Sequence, residues 1–118
     1  MARTVLSVMT LDNVNVPAAV AAYSAMLTTP NAADGAEFEM GKDNKTLVLL
    51  VNDGSSASTT VIKAGNGIQG VADLSVALEA GKYTILCLDS GRFKNVSGAD
   101  KGKVILTGTA KVAVFQLP

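Results

Sequence analysis

The side chains of this chain that could do chemistry are few, and the densest group is acidic. Asp34, Glu37 and Glu39 lie close together in the segment ADGAEFE, and carboxylate oxygens are the ligands that Ca²⁺ prefers. Their spacing does not match an EF-hand loop. An alternating strand accounts for them better, with the two glutamates pointing to solvent and Phe38 and Met40 pointing inward. We therefore expect a turn and a short strand here, and no metal.

The side chains that most often carry catalysis are missing. The chain has no histidine, which excludes a Ser-His-Asp triad, histidine-based zinc sites and the commonest general base. Cys87 is the single cysteine and lies in the apolar run YTILCLD, where we expect it to be buried as a small hydrophobic side chain. We predict that the protein is not an enzyme and holds no cofactor.

The charge pattern limits the partners. Ten basic and ten acidic residues give a formal net charge of zero, and the lysines are scattered rather than clustered, so nothing in the sequence marks a nucleic-acid site. The longest uncharged segment, residues 13–33, contains prolines and asparagines and makes a poor membrane span. We expect neither a nucleic-acid nor a membrane partner, and no secretion signal.

One turn sequence carries a candidate contact site. Asp89, Arg92 and Phe93 lie in the segment DSGRF, and arginine is enriched at interface hot spots. An alternative interpretation is structural, with Arg92 paired to Asp89 and Phe93 covering the core. The composition leaves both interpretations open.

Alternation of apolar and polar residues predicts the elements that position these groups. The segment from Asp73 to Glu79 is typical of a strand with one wet face, whereas 47–51 and 83–88 are apolar on both faces and are expected to be covered on both. Asn52-Asp53-Gly54 predicts a polar-tipped hairpin that returns along 59–63. Further short strands are expected at 3–9, 37–40, 104–106 and 112–117.

These strands indicate an all-β fold. Glycines separate short strands at the spacing of a β-sandwich, so we predict a single-domain sandwich of seven to nine short strands, either jelly-roll-like or immunoglobulin-like. Residues 16–27, VPAAVAAYSAML, form either a short helix that begins near Pro17 or an extended arm. The chain then divides into an N-terminal arm or first strand, residues 1–33, and a sandwich body, residues 34–118.

The order of the segments in the body resembles small virion proteins of tailed bacteriophages. LVLLVNDGSSASTTVIKAGNG is followed by DLSVALEAGKYTILCLDSGRFKN, a short glycine-bearing loop and KVILTGTAKVAVFQLP. The resemblance covers residues 34–118, and LDSGRF is its most specific part. It is to head decoration, or cement, proteins, which are β-sandwich modules on the outside of the icosahedral shell.

The resemblance implies a structural role without substrate or cofactor. It implies that the protein is made in the host cytoplasm, binds the major capsid protein on the capsid exterior and forms a homo-oligomer, with a trimer favoured. The residues expected to contact partners are Arg3, Val16, Pro17, Tyr23, Asp89, Arg92 and Phe93. A tail or neck component of the same virion and a glycan-binding module that uses its tyrosines are the alternatives.

Overall fold

The structure is a computed structural model that describes residues 2–18, 26–41 and 43–118. In these residues the chain forms nine strands and one helical turn: β1 (Thr4–Val5), β2 (Val8–Thr10), β3 (Ala36–Glu39), β4 (Thr46–Val51), β5 (Ser58–Ile62), β6 (Leu74–Leu78), β7 (Tyr83–Leu88), α1 (Ser90–Phe93), β8 (Lys103–Thr107) and β9 (Lys111–Gln116). The predicted all-β class and strand number are confirmed. The helix or arm expected at 16–27 falls mainly on residues 19–25, which lie outside the described residues.

The strands form two sheets with jelly-roll order. One sheet has five strands in the order β1-β3-β8-β5-β6, and the other has four in the order β2-β9-β4-β7. Strands β2 and β9, β3 and β8, β4 and β7, and β5 and β6 are therefore neighbours, which is the nested pairing of a jelly roll. The β2–β9 pair is parallel. Of the two sandwich types expected from the sequence, the strand order matches the jelly roll, while the parallel pairs β1–β3 and β2–β9 depart from its antiparallel pairing.

The core lies between the inner faces of the two sheets. Its largest fully buried apolar side chains come from both layers and from the end of β7, and they are Phe38, Leu50, Ile62, Leu88 and Leu106. Removing such a side chain from water contributes about 1.5–3 kcal/mol to folding. Strand β3 alternates as predicted, with Phe38 buried and Glu37 and Glu39 on the outer face. The period-two pattern therefore sets which face of each strand meets the core.

The segment between β4 and β5 is a corner between the sheets, and the predicted hairpin is wrong, because the two strands belong to different layers. Because β4 and β5 lie in different sheets, their inward-facing apolar side chains meet across the core. The buried Asn52 holds the corner. Its Nδ2 donates hydrogen bonds to the carbonyl oxygens of Ser56 (2.9 Å), Leu78 (3.2 Å) and Glu79 (3.2 Å).

The strand predicted from Arg3 to Met9 is two strands in two sheets. β1 pairs in parallel with β3, and β2 pairs in parallel with β9. Between them Leu6 turns into the core and is 5% exposed. Residues 4–10 are therefore paired with both sheets of the sandwich, and the strand expected near the N-terminus is present in two parts.

Strand β7 has one exposed face, which corrects the expectation that both faces are covered. Tyr83, Ile85 and Cys87 are exposed, whereas Leu88 is buried. The predicted burial of Cys87 is likewise wrong. Alternation identified the two apolar faces of this strand, but it does not say whether a second layer covers both of them.

Candidate partner-binding surfaces

Arg3, predicted as a partner contact, has partners within the chain. Its guanidinium lies 3.0 Å from Asp100 Oδ1 and 3.5 Å from Glu37 Oε1, and Lys103 Nζ lies 2.8 Å from the other oxygen of Glu37. The hydrogen bond to Asp100 is the main cause that raises the pKa of Arg3, and the bond to Glu37 raises that of Lys103. The network ties the start of β1 to β3 and β8.

The other N-terminal candidates lie on a solvent-exposed stretch. Val16 and Pro17 are exposed, and so is Val14 nearby. Tyr23 lies outside the described residues. The described part of this segment therefore offers two exposed valines, Val14 and Val16, as possible contacts.

Asp89 and Phe93 are structural residues of the turn after β7. Asp89 is the N-cap of α1, and its Oδ1 accepts a hydrogen bond from the backbone N–H of Gly91 at 2.9 Å. The Phe93 ring is 4% exposed and belongs to the core. Phe93 is thus not available as a direct contact, in agreement with the structural interpretation of this segment.

Arg92 anchors a loop. Its Nε and Nη2 donate hydrogen bonds to the carbonyl oxygens of Ala72 (3.1 Å) and Asp73 (3.2 Å). The ion pairs of the described residues do not include the predicted Arg92–Asp89 pair. Arg92 therefore fixes the approach to β6, a role that the sequence analysis did not consider.

The loop that Arg92 holds, residues 64–73, is here called the Ile68 loop. Its base is tied down by the backbone N–H of Gly65, which donates to the carbonyl oxygen of Arg92 at 2.8 Å. The Asn66 side chain accepts from the N–H of Val96 at 2.8 Å and donates to the carbonyl oxygen of Ser97 at 3.0 Å. These bonds hold the loop against the segment that follows α1.

The Ile68 loop presents apolar side chains to solvent. Ile68 is 100% exposed and Val71 is 81% exposed, and Val96 beside the loop is also exposed. A tethered loop that displays isoleucine and valine is a candidate contact surface, because exposed apolar groups gain free energy when a partner covers them. The sequence carries no signal for this surface, because a single isoleucine in a glycine-rich segment has no periodic pattern.

A second candidate surface is the side of the four-stranded sheet that faces away from the core. Strands β4 and β7 pair there as Leu47 with Cys87, Leu49 with Ile85, and Val51 with Tyr83. Together these side chains form what is here called the apolar outer face: Leu47, Leu49, Val51, Tyr83, Ile85 and Cys87. All six are hydrophobic, and the three on β7 are exposed.

The outer side of the other sheet is mixed in polarity. Glu37 and Glu39 on β3, Lys103 on β8 and hydroxyl side chains on β5 and β6 lie there together with the apolar Val5, Val61 and Ile105. Antiparallel sheets with one solvated side normally alternate hydrophobic-in and polar-out. The apolar outer face departs from this rule more strongly, because none of its six side chains carries a charge.

The described residues offer little to a small molecule or an ion. They contain no group of three or more Cys, Asp or Glu side chains that could hold a metal ion. A cleft of about 550 Å³ opens between β1, β2 and β3, and three charged side chains line it: Glu37 and Lys103, which are paired with each other, and Glu39. Among the described residues, no helix is long and apolar enough to cross a membrane.

Comparison of the chain with protein-family models, with curated proteins and with solved structures finds no match.

Proposed function

We propose that this protein is a structural component of a tailed-bacteriophage virion, a decoration protein that binds the outside of the head and stabilises the lattice of the major capsid protein. The observation that carries the proposal is the apolar outer face. A sheet side made of Leu47, Leu49 and Ile85 with their neighbours suits contact with another polypeptide better than contact with water. The resemblance of residues 34–118 to decoration proteins supports the choice of partner.

The geometry suits a lattice partner in a further way. The apolar outer face and the Ile68 loop are built on different elements, so one copy offers two separate contact surfaces. Contacts that are weak one at a time suffice on a symmetric shell, because binding at one site raises the effective concentration at the next. A decoration protein of this kind needs no catalytic group.

The test is binding of the purified chain to heads that lack it. The double variant Leu47→Gln/Leu49→Gln makes the centre of the apolar outer face polar, and Thr59→Gln/Ala77→Gln makes a matched change on the outer side of the other sheet. Co-sedimentation with heads should show saturable binding for the unchanged chain and the control, and binding at least tenfold weaker for the first variant. Unfolding curves of all three proteins check that each is folded.

Two results would contradict the proposal. If the unchanged chain does not bind heads, the assignment as a decoration protein fails. If Leu47→Gln/Leu49→Gln saturates heads as the unchanged chain does, the apolar outer face is not the contact surface, and the Ile68 loop becomes the next surface to vary.

A tail or neck component is the alternative within the same virion, and the copy number separates the two. A coat on the shell requires hundreds of copies per particle, whereas a tail or neck part requires at most a few dozen. Densitometry of purified particles against the major capsid band measures this directly.

A glycan-binding role is favoured by one observation, the exposed ring of Tyr83. This ring is 69% exposed at the border of the apolar outer face, and aromatic rings stack on the apolar faces of sugars. Saturable sugar binding that Tyr83→Ala abolishes would support this role, and capsid binding that Tyr83→Ala leaves intact would speak against it.

A further inference from the structure

Strand β7 is an edge strand with free backbone groups. Among the described strands it pairs with β4 alone. The N–H of Asn52 donates to the carbonyl oxygen of Lys82 at 2.9 Å, while the N–H of Lys82 donates to Glu79 in the turn. Because hydrogen-bonded positions alternate along an antiparallel pair, Thr84, Leu86 and Leu88 direct their N–H and C=O groups to β4. The intervening residues direct theirs away from the sheet, and no described residue bonds to them. They are Tyr83, Ile85 and Cys87.

This edge lacks the usual protection against pairing with another chain. Edge strands are normally short, interrupted by charges or proline, or bulged. β7 has six residues, YTILCL, with neither a charge nor a proline, and Ile85 at its centre is 56% exposed. Such an edge can pair with a strand from another chain.

The charges that flank β7 fit a second copy of the same strand. Lys82 precedes the strand and Asp89 follows it, both are exposed, and neither takes part in an ion pair of the described residues. Antiparallel pairing of two β7 strands brings the Lys82 end of each copy to the Asp89 end of the other, with the two side chains on opposite faces of the sheet. Parallel pairing would instead bring like charges together, which is unfavourable.

Strand β6, at one edge of the other sheet, is flanked by charges of a single sign. β6 is flanked by Asp73 and Glu79, so antiparallel pairing with itself would place carboxylate next to carboxylate. Charged flanks of one sign discourage edge-to-edge contact. The two edges on this side of the sandwich therefore differ, and only β7 is complementary to itself.

We propose that two copies of this chain pair through β7, antiparallel about a two-fold axis at Ile85, which joins their four-stranded sheets into one sheet of eight strands. In this register Ile85 lies opposite Ile85 of the second copy, and Tyr83 lies opposite Cys87. All outward N–H and C=O groups of the three residues are then paired, with about six hydrogen bonds between the copies. The two apolar outer faces become continuous. The inference holds whether or not the protein binds capsids.

Disulfide trapping tests the register. Opposite hydrogen-bonded residues have Cα atoms about 5.5 Å apart, within the range that a disulfide spans, whereas Cys87 and its own copy are four residues apart along the strands, about 13 Å. Four proteins are compared after mild oxidation: the unchanged chain, Tyr83→Cys, and, in a Cys87→Ser background, Tyr83→Cys or Ile85→Cys. Non-reducing gels and mass spectrometry of the linked peptides give the result.

A specific pattern is expected. Tyr83→Cys with the native Cys87 forms dimers linked between positions 83 and 87, and Ile85→Cys with Cys87→Ser forms dimers linked between the two copies of position 85. The unchanged chain and Tyr83→Cys with Cys87→Ser stay largely unlinked. Efficient linkage through Cys87 alone, or equal linkage in all four proteins, would overturn the proposed register.

Analytical ultracentrifugation of the full chain tests the contribution of the flanking charges. Lys82→Asp gives both ends of β7 the same sign, as those of β6 have, and should raise the dimer dissociation constant on the order of threefold, because the ends that meet then repel each other. Lys82→Asp/Asp89→Asn removes this repulsion and keeps a side chain that can cap α1, so it should lower the constant again, with thermal melts as the folding control. A protein that sediments as a monomer at about 100 μM, or as the trimer that the resemblance implies, would overturn the two-fold pairing.

Discussion

The guanidinium of Arg92 donates a hydrogen bond to the carbonyl oxygen of Ala72, 3.1 Å away and 20 residues earlier in the chain. With the second bond to Asp73 at 3.2 Å, it fixes the end of the Ile68 loop against the helical turn that follows β7. Arg92, which the sequence suggests as a partner contact, thus positions a different candidate contact surface, the Ile68 loop.

Replacing Arg92 should loosen the Ile68 loop more than it destabilises the whole fold. Arg92→Leu removes both hydrogen bonds, and we expect a loss of about 1 kcal/mol in the free energy of unfolding. Faster amide hydrogen exchange should be confined to residues 64–73 and their contacts. Lys101→Leu, which removes an exposed charge outside the loop, should change stability by less than about 0.5 kcal/mol. Unchanged exchange in Arg92→Leu would show that the loop is held by its other bonds.

Gly65 should tolerate no side chain. A Cβ there would lie 2.5 Å from the carbonyl oxygen of Lys94, a backbone atom that cannot move aside without breaking the base of the loop. Gly65→Ala should therefore cost about 1–3 kcal/mol. Gly54→Ala is the matched control, because its nearest neighbour would be Asn52 Oδ1 at 3.4 Å, and it should be nearly neutral. Urea titrations of both variants measure the difference, and equal stabilities would contradict the packing argument.

The hydroxyl of Thr60 should be dispensable. Thr60 is 1% exposed on the inner side of β5, and its Oγ1 has no hydrogen-bond partner among the described residues. Thr60→Val keeps the shape and removes the unsatisfied group, so it should stabilise the fold by about 1 kcal/mol. Thr60→Ser keeps the hydroxyl, removes a methyl group and should destabilise by about 1 kcal/mol. If valine destabilises instead, a partner for the hydroxyl exists in solution.

The sequence predicted most strands because period-two alternation directly reflects which side chains meet the core. It did not predict how the strands are connected. Asn52-Asp53-Gly54 has the chemistry of a turn, but a turn within a sheet and a corner between sheets use the same residues. What decides between a turn and a corner is the burial of apolar side chains across the core. This effect is long-range and is not visible in a local sequence pattern.

The candidate surfaces were harder to predict, for a related reason. Two apolar faces on β7 indicate that both sides avoid water, and the simplest expectation is that the same chain covers both. The structure leaves Tyr83, Ile85 and Cys87 uncovered, so the sequence pattern marks either a core or a surface for another molecule. Ile68 was missed because an isolated apolar residue between glycines carries no periodic signal.

Two aspartates should make the fold sensitive to acid. Lys111 Nζ lies 2.8 Å from Asp53 and lowers its pKa, chiefly through a hydrogen bond. The backbone N–H of Ser90 donates to Asp43 at 2.9 Å and lowers the pKa of that carboxyl. Because both pKa values are lower in the folded state, the unfolded chain binds more protons. The stability that these groups contribute is therefore present above the ordinary carboxyl pKa and is lost as the pH falls through the folded pKa.

The double variant Asp43→Asn/Asp53→Asn tests this dependence. Its urea midpoint should fall less than that of the unchanged chain between about pH 5 and about pH 3. Asp12→Asn, at an exposed aspartate with no ion pair or side-chain hydrogen bond to a described residue, is the control and should follow the unchanged chain. Parallel curves for all proteins would assign the acid sensitivity to other groups.

The sharpest test of the N-terminal fold compares two neighbouring residues. Leu6 is 5% exposed in the core, whereas Val5 is 73% exposed on the outer side of β1. If residues 4–10 belong to the sandwich, Leu6→Ala leaves a cavity between the sheets and should cost about 2–5 kcal/mol, while Val5→Ala should change stability by less than about 0.5 kcal/mol. If these residues formed a detachable arm, both substitutions would leave the unfolding curve unchanged. A deletion that removes residues 2–11 should accordingly destabilise the whole domain, because it takes Leu6 out of the core and strips β3 and β9 of their outer neighbours.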